Sequence, residues 1–427
     1  MNNQENSTSK INSNRPWYLI LHWQVFMAMA LGVLIGYSPV GEFFAIYFGW
    51  LGDLFMRLLK MIIVPLVVAS IISGVASAGG GRVVGRMFGK TLLYYLVSSF
   101  LAALTGLLLF NMINPGRGYP VTDTGTEPPD LATPESPIDL LLDIVPTNFF
   151  ASASAGDMLG IIFFSIVFGI AITTLPDQSR TKITNVFDLL FKVMISLTSA
   201  IIKFLPIGVF GLMVTLVGKT GLQSFGNLFQ YVLALGSGLS IHFLISIPLL
   251  LYFWGRVSPW KHLMNLRETL LVAFTTSSSA ATLPVTLSAV RQKVGVSDRV
   301  SSFTLPMGAT VNMDGTAIME CVGALFIAQA LGAEIGFMTQ VAVVITALLA
   351  SIGAAAVPSA GLVVIFIILN VIGIGDNPEA LLIVGAMLSI DRPLDMARTA
   401  VNVYSDSCAA VVVAKWEGET QINKEIR

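Results

Sequence analysis

Apolar residues run along this chain in blocks long enough to cross a bilayer, about 20 residues each. Unbroken blocks lie near 17–37, 50–77, 92–113, 147–174, 193–217, 227–254, 303–331 and 379–414. Two more, near 269–290 and 340–372, are interrupted midway by Ser, Gly and Pro. The interrupted blocks resemble one another, Ser279-Ala-Ala-Thr-Leu-Pro284 in the first and Gly353-Ala-Ala-Ala-Val-Pro358 in the second. Each is followed by a block holding Asn and Asp: Asn312 with Asp314, then Asn402 with Asp406. Paired broken segments in corresponding halves mark inverted repeats that meet at a midplane site. Non-helical backbone at that depth survives only against protein or a wet cavity. The pattern predicts an all-α polytopic membrane protein with eight transmembrane helices and two re-entrant helical hairpins.

The basic residues orient these blocks. With the N-terminus inside, the Lys and Arg of 82–90, 180–192, 256–267, 291–299 and 415–427 fall on the cytoplasmic side, and Arg117 and Lys219 fall outside. Positive residues favour the cytoplasmic face. The first hairpin then enters and leaves from inside, and the second from outside. Residues 1–16 read as a disordered cytoplasmic tail, and the Pro-rich acidic stretch 114–146 as an extracellular loop. Arg57 and Lys60, one turn apart in the second block, read as snorkelling or subunit-facing cations. Lys203-Phe-Leu-Pro206 marks a bend in the fifth.

Composition agrees with lipid-facing surface. The chain is 55% hydrophobic and 11% charged, against about 25% charged in soluble proteins. Its net charge of -1 gives no nucleic-acid footprint. Cys321 and Cys408 read as buried thiols, and His22, His242 and His262 lack metal-ligand spacing. Gly89-Lys90-Thr91 fails as a phosphate loop because Val84 stands where a glycine is needed. Gly373-Ile-Gly-Asp376 matches a short intramembrane aspartyl protease motif, but the partner Tyr-Asp dipeptide is missing from the chain. No enzyme activity and no cofactor are expected.

The last block carries the chemistry. Asp391, Asp395, Arg398, Thr399, Asn402 and Asp406 fall on one side of a helix, within an arc of roughly 100°. Ionisable groups at membrane depth face a cavity or one another. Arg398 offers a planar fork to a carboxylate, Asp395 an acceptor for an ammonium, and Asn402 a donor to an α-carboxylate. That set suits an acidic amino acid. Asp406 has no organic partner and fits a cation. Gly315 and its polar neighbours in Asn312-Met-Asp-Gly-Thr316, placed near the end of the seventh span, should unwind the helix and add carbonyls to a hard-oxygen cation site. Ser278 and Ser279 sit where the first hairpin presents helical N–H groups to an anion. Glu320, four residues past Thr316 and on the same helix face, reads as a proton carrier.

Ser277-Ser-Ser, Asn312-Met-Asp-Gly-Thr316, Ala350-Ser-Ile-Gly353, Val357-Pro358 and Asp395-Met-Ala-Arg-Thr399 with Asn402 and Asp406 together resemble the glutamate transporter family. These sodium/dicarboxylate symporters include archaeal aspartate transporters and the excitatory and neutral amino acid transporters. The resemblance covers nearly the whole chain, and a prokaryotic member is expected. It implies a homotrimer in the inner (plasma) membrane, both termini cytoplasmic, with lipid around it and sodium as coupling ion. Scaffold segments 17–90 and 147–222 would hold the trimer, while transport segments 91–113 and 223–417 slide like an elevator and 418–427 forms a tail. It implies substrate contacts at Ser279, Thr316, Val357, Gly361, Asp395, Arg398, Thr399 and Asn402. One implied sodium site uses Gly308, Asn312, Asn402 and Asp406, and a second Thr310, Met313, Ser351, Ile352 and Ala354. A third uses Tyr95, Ser98, Ser99, Asn312 and Asp314. Excitatory relatives carry Glu at position 320, where it is implicated in proton coupling. Archaeal relatives place an Arg where this chain has Ser277, and excitatory ones where it has Met396; Arg392 is a turn away. The function expected is sodium- or proton-driven uptake of L-glutamate or L-aspartate. C4-dicarboxylate or neutral amino acid symport is the alternative, and an anion channel a more distant rival.

Overall fold

The computed structural model describes residues 21–77, 82–119, 129, 131, 142, 144–155, 158–222, 224–353, 360–420 and 422. These form helices and turns, with no strand among the described residues. In chain order the helices are α1 (Leu21–Tyr37), α2 (Gly41–Ser77), α3 (Arg82–Ile113), α4 (Phe149–Ala155), α5 (Met158–Thr173), α6 (Asp177–Ile202) and α7 (Leu205–Thr220). Next come α8 (Ser224–Ile241), α9 (Pro259–Thr276), α10 (Ser279–Ala289), α11 (Asp298–Val311), α12 (Asp314–Ala330), α13 (Phe337–Gly353), α14 (Ala360–Val371) and α15 (Pro378–Trp416). α8 continues through π-helical turns at His242–Ser246 and Leu251–Gly255.

Five described stretches are long and apolar enough to cross a membrane: Gly41–Ala76, Arg86–Ile113, Asp177–Ile202, Phe225–Gly255 and Asp298–Ala330. α15, the longest helix at 39 residues, carries ionisable groups along its length and stands outside that set.

The structure corrects three expected boundaries. The bend expected at Lys203-Phe-Leu-Pro206 is present as a turn at Lys203 and Phe204 that separates two helices, but α6 begins at Asp177 and not at 193. The first hairpin starts at Pro259, not near 269, where Ser258 caps the helix by accepting the Lys261 N–H. The break in the seventh span lies near its middle, at Asn312 and Met313. The break thus falls inside the expected motif, with Gly315 in the first turn of the helix that follows.

α7 lies along α1 and α2, and α5 and α6 lie against α2. The approach is close because glycines face each other. A Cβ on Gly211 would stand 2.7 Å from the Gly52 nitrogen, the small-residue packing that brings helices together in lipid. The other grouping centres on α12, nearly every residue of which is buried. Helices α3, α8, α13, α14 and α15 surround it. At one end Glu417, which caps α15, ties three helices together. Its carboxylate meets Arg86 at 2.6 Å and Lys90 at 2.7 Å on α3, and Arg299 on α11 at 3.6 Å. The Arg86 hydrogen bond, reinforced by Lys90, holds that carboxyl at about 2, well below the usual carboxylate range. So α3, α11 and α15, each of which carries candidate site residues, are fixed to one another at that end.

Candidate functional site

α15 is one continuous helix through Pro393, so the predicted polar ribbon is realised. Asp391, Asp395, Arg398, Thr399, Asn402 and Asp406 are all buried. Arg398 is 1% exposed, among the largest fully buried side chains. Its Nη2 meets Asp395 Oδ1 at 2.8 Å and the Asp391 carboxylate at 3.0 Å. Asp395 also takes Arg392 at 3.4 Å. Nε and Nη1 of Arg398 have no hydrogen-bond partner among the described residues. A buried cation costs several kcal/mol unless paired, so two carboxylates on one nitrogen offset the charge and leave two donor nitrogens unpaired.

Two glycines allow the approach to Arg398. A Cβ on Gly361 of α14 would lie 2.8 Å from Arg398 Nη1 and 3.4 Å from Thr316 Cγ2. A Cβ on Gly315 of α12 would lie 2.8 Å from the Arg398 carbonyl oxygen. Gly315 also donates its N–H to Asn402 Oδ1 at 2.8 Å. That bond fixes the carboxamide and leaves its amide nitrogen as a donor. Thr399 donates to the Asp395 carbonyl at 2.9 Å. Hence Thr316, Gly361, Arg398 and Asn402 converge from three helices.

The first hairpin reverses at Ser277, whose φ of 50 is left-handed. Ser278 caps α10, its Oγ accepting the Ala281 N–H at 3.2 Å, and Ser279 is buried at the first turn. α10 packs on α15 and α11. Val357 and Ala354 lie outside the described residues, and of Ile352 only the helical backbone is described.

A second polar cluster surrounds the break between α11 and α12. Asp314 Oδ1 accepts from Ser99 at 2.7 Å, and Oδ2 accepts from Ser98 and from His242 Nε2, the last at 3.1 Å. Ser98 shares a hydrogen bond with Ser405 at 3.1 Å. Asn312 Nδ2 donates to Ser405 at 3.0 Å and to Asp406 Oδ1 at 2.9 Å. The two carboxylates are thus joined by one chain of polar contacts. Tyr95 is buried on α3. Its hydroxyl donates to the Thr304 carbonyl at 2.8 Å and stands beside Gly308, where a Cβ would be 2.6 Å away.

The other candidate cation residues are more scattered. Thr310 Oγ1 donates to Met307 at 3.0 Å and Ser351 Oγ to Leu348 at 2.9 Å, each within its own helix. Their helices, α11 and α13, pack on each other, and Met313 is buried at the break. Glu320 is fully buried one turn past Thr316, and neither carboxyl oxygen has a hydrogen-bond partner among the described residues.

Sequence reasoning passed over His242 and Ser405 and gave Asp391 no task. Ser405 was within reach of the helical arithmetic, since it falls only about 40° beyond Asp391 on the wheel. His242 was dismissed on metal spacing, although a lone imidazole in an apolar span is itself a signal.

Comparison with known proteins supplies the remaining findings. The signature described as the sodium:dicarboxylate symporter family matches residues 21–416. The chain is 33% identical over 415 residues to the proton/sodium-glutamate symport protein of Bacillus caldotenax, covering 95% of this chain and 96% of that one. It is 32% identical over 414 residues to the proton/glutamate-aspartate symporter of Escherichia coli (strain K12), covering 93% of each. A C4-dicarboxylate transport protein of Rhodopseudomonas palustris (strain HaA2) is 31% identical over 415 residues, covering 96% of this chain and 92% of its own.

Proposed function

Because the chain belongs to the sodium:dicarboxylate symporter family, we propose that it is a secondary active symporter. It takes up L-glutamate or L-aspartate on sodium gradients, proton gradients or both. The observation that carries this reading is Arg398, buried with Asp391 and Asp395 on one nitrogen and with two nitrogens that have no partner among the described residues. Those N–H groups receive the substrate's side-chain carboxylate. Asp395 accepts from its ammonium, while Asn402, Thr399 and Thr316 complete the polar shell. Ser278, Ser279, Val357 and Gly361 close it from the two hairpins.

Sodium serves as cargo at oxygen-rich positions. Asp406 with Gly308, Asn312 and Asn402 forms one, and Asp314 with Ser98, Ser99, Asn312 and Tyr95 another. Thr310, Met313, Ser351, Ile352 and Ala354 form the third. Glu320 carries the proton. Eight spans and two hairpins divide into a scaffold (17–90 and 147–222) and a transport domain (91–113 and 223–417) that moves as an elevator in a homotrimer. The protein lies in the inner membrane with both termini cytoplasmic.

Proteoliposome uptake tests the reading. L-aspartate and L-glutamate should accumulate when sodium or proton gradients are imposed singly, and succinate should compete poorly, because ionised Asp395 repels a ligand without an ammonium. Strong succinate uptake would move the chain to C4-dicarboxylate transport.

A further inference from the structure

His242 sits at a defect in its own helix. Pro248 has no amide hydrogen, so it cannot donate to the carbonyl of Leu244. The Ile247 N–H reaches back five residues to the His242 carbonyl, and the helix widens into a π turn that begins at His242. Such turns are frequent at functional sites. Here the imidazole is fully buried and meets Asp314, the first residue of α12, at 3.1 Å.

The chemistry of this contact is fixed by its acceptor. An ionised carboxylate only accepts hydrogen bonds, so Nε2 carries the proton and donates. Neutral and charged imidazole can both present that N–H, and the contact does not depend on which is present. Nδ1 has no hydrogen-bond partner among the described residues. Ser98 and Ser99 approach Asp314 from α3, while His242 comes from α8. Three donors from two helices leave the carboxylate no freedom to rotate.

We propose that His242 is a positioning residue for a sodium site at Asp314: its Nε2–H sets the carboxylate orientation that receives the cation. This rests on the reading of Asp314 as part of a cation site. Partners that orient a metal-binding carboxylate characteristically contribute about 10–100-fold in metal affinity.

The test is sodium-dependent L-aspartate binding to the purified full chain, at fixed ionic strength with choline replacing sodium. His242→Ala should raise the sodium concentration for half-maximal binding by about tenfold or more, and saturating sodium should restore aspartate affinity. His242→Gln keeps a donor nitrogen and should hold the midpoint within about threefold, a small part of that effect. If His242→Ala leaves the midpoint unmoved while Asp314→Asn moves it, His242 only fills space and the proposal fails. If Asp314→Asn moves nothing either, the cation reading of Asp314 fails with it. Should the alanine variant not fold, histidine-labelled ¹⁵N NMR of the parent decides. The His242 signal, assigned by its loss in His242→Gln, must shift with sodium and not with choline, and an unmoved signal overturns the proposal.

Discussion

Arg398 and Glu320 present the same contrast from opposite sides, a buried cation shared by two acids and a buried acid with no bonded partner among the described residues. Replacing Arg398 with Cys leaves Asp391 and Asp395 buried without their cation and removes the partner proposed for the substrate's carboxylate. Hydrogen bonds to charged groups contribute about 1.5–3 kcal/mol, so acidic amino acids should bind at least about tenfold more weakly. Neutral ones should gain relative to them. A variant that still prefers aspartate to serine as the parent does would remove Arg398 from the substrate site. Glu320→Gln preserves shape and removes the ionisable proton. Uptake by that variant should no longer respond to an imposed pH gradient, while substrate exchange persists. A full response to the gradient would make Glu320 a structural group. The ribbon on α15 was legible in the sequence because a single helix sets the spacing of all its members. The pairing of His242 with Asp314 was not, because it joins residues 72 apart on two helices.

Among the elements, the first hairpin and the broken seventh span were foreseen as interruptions, but the start of that hairpin and the place of the break were not. Residues 259–268 hold Lys261, His262, Asn265, Arg267 and Glu268, which hides the first arm of the hairpin from any reading based on hydropathy. Asp177, Arg180, Lys182, Asp188 and Lys192 hide the start of α6 in the same way. Pro284 and Pro306 both lie within helices, so proline alone did not locate the breaks. Gly315 was expected to loosen the chain, yet it permits contact. A Cβ there would meet the backbone of Arg398, its oxygen at 2.8 Å and its Cα at 2.9 Å. Backbone in a packed helix has little room to yield. Gly315→Ala should push α12 from α15 where the Gly315 N–H reaches Asn402, at a cost of about 1–3 kcal/mol. Aspartate and sodium binding should weaken together, both read by calorimetry on the purified variant. Aspartate affinity equal to the parent's would show that the two helices separate without consequence.

Across the whole molecule, several helix pairs join the α1, α2, α5, α6 and α7 grouping to the helices around α12. Lys60 of α2 contributes to that junction. Its ammonium donates to the Gly375 carbonyl at 2.7 Å, pairs with Asp376 at 2.9 Å and stands 5.4 Å from the centre of the Phe366 ring. Asp376 is 99% exposed at its side chain, so the ion pair alone contributes about 0–1 kcal/mol. The carbonyl bond and the aromatic face add to it, and all three act between the same two groupings. If those groupings slide past one another, Lys60 cannot keep these partners through the stroke, and the contact favours the arrangement seen here. Lys60→Met removes every component, whereas Asp376→Asn removes only the ion pair. Loss of one to two kcal/mol changes a two-state ratio by a factor of about 5–30. Lys60→Met should therefore shift the population away from this arrangement by at least about fivefold, and Asp376→Asn should shift it less. Distance distributions between one label on α2 and another on α14, measured in lipid by single-molecule fluorescence transfer, report that ratio directly. Identical distributions in the parent and both variants would mean that Lys60 anchors a surface loop and does not restrain the motion. A graded shift in the order parent, Asp376→Asn, Lys60→Met would show that the backbone and aromatic contacts carry most of the restraint, as the exposure of Asp376 requires.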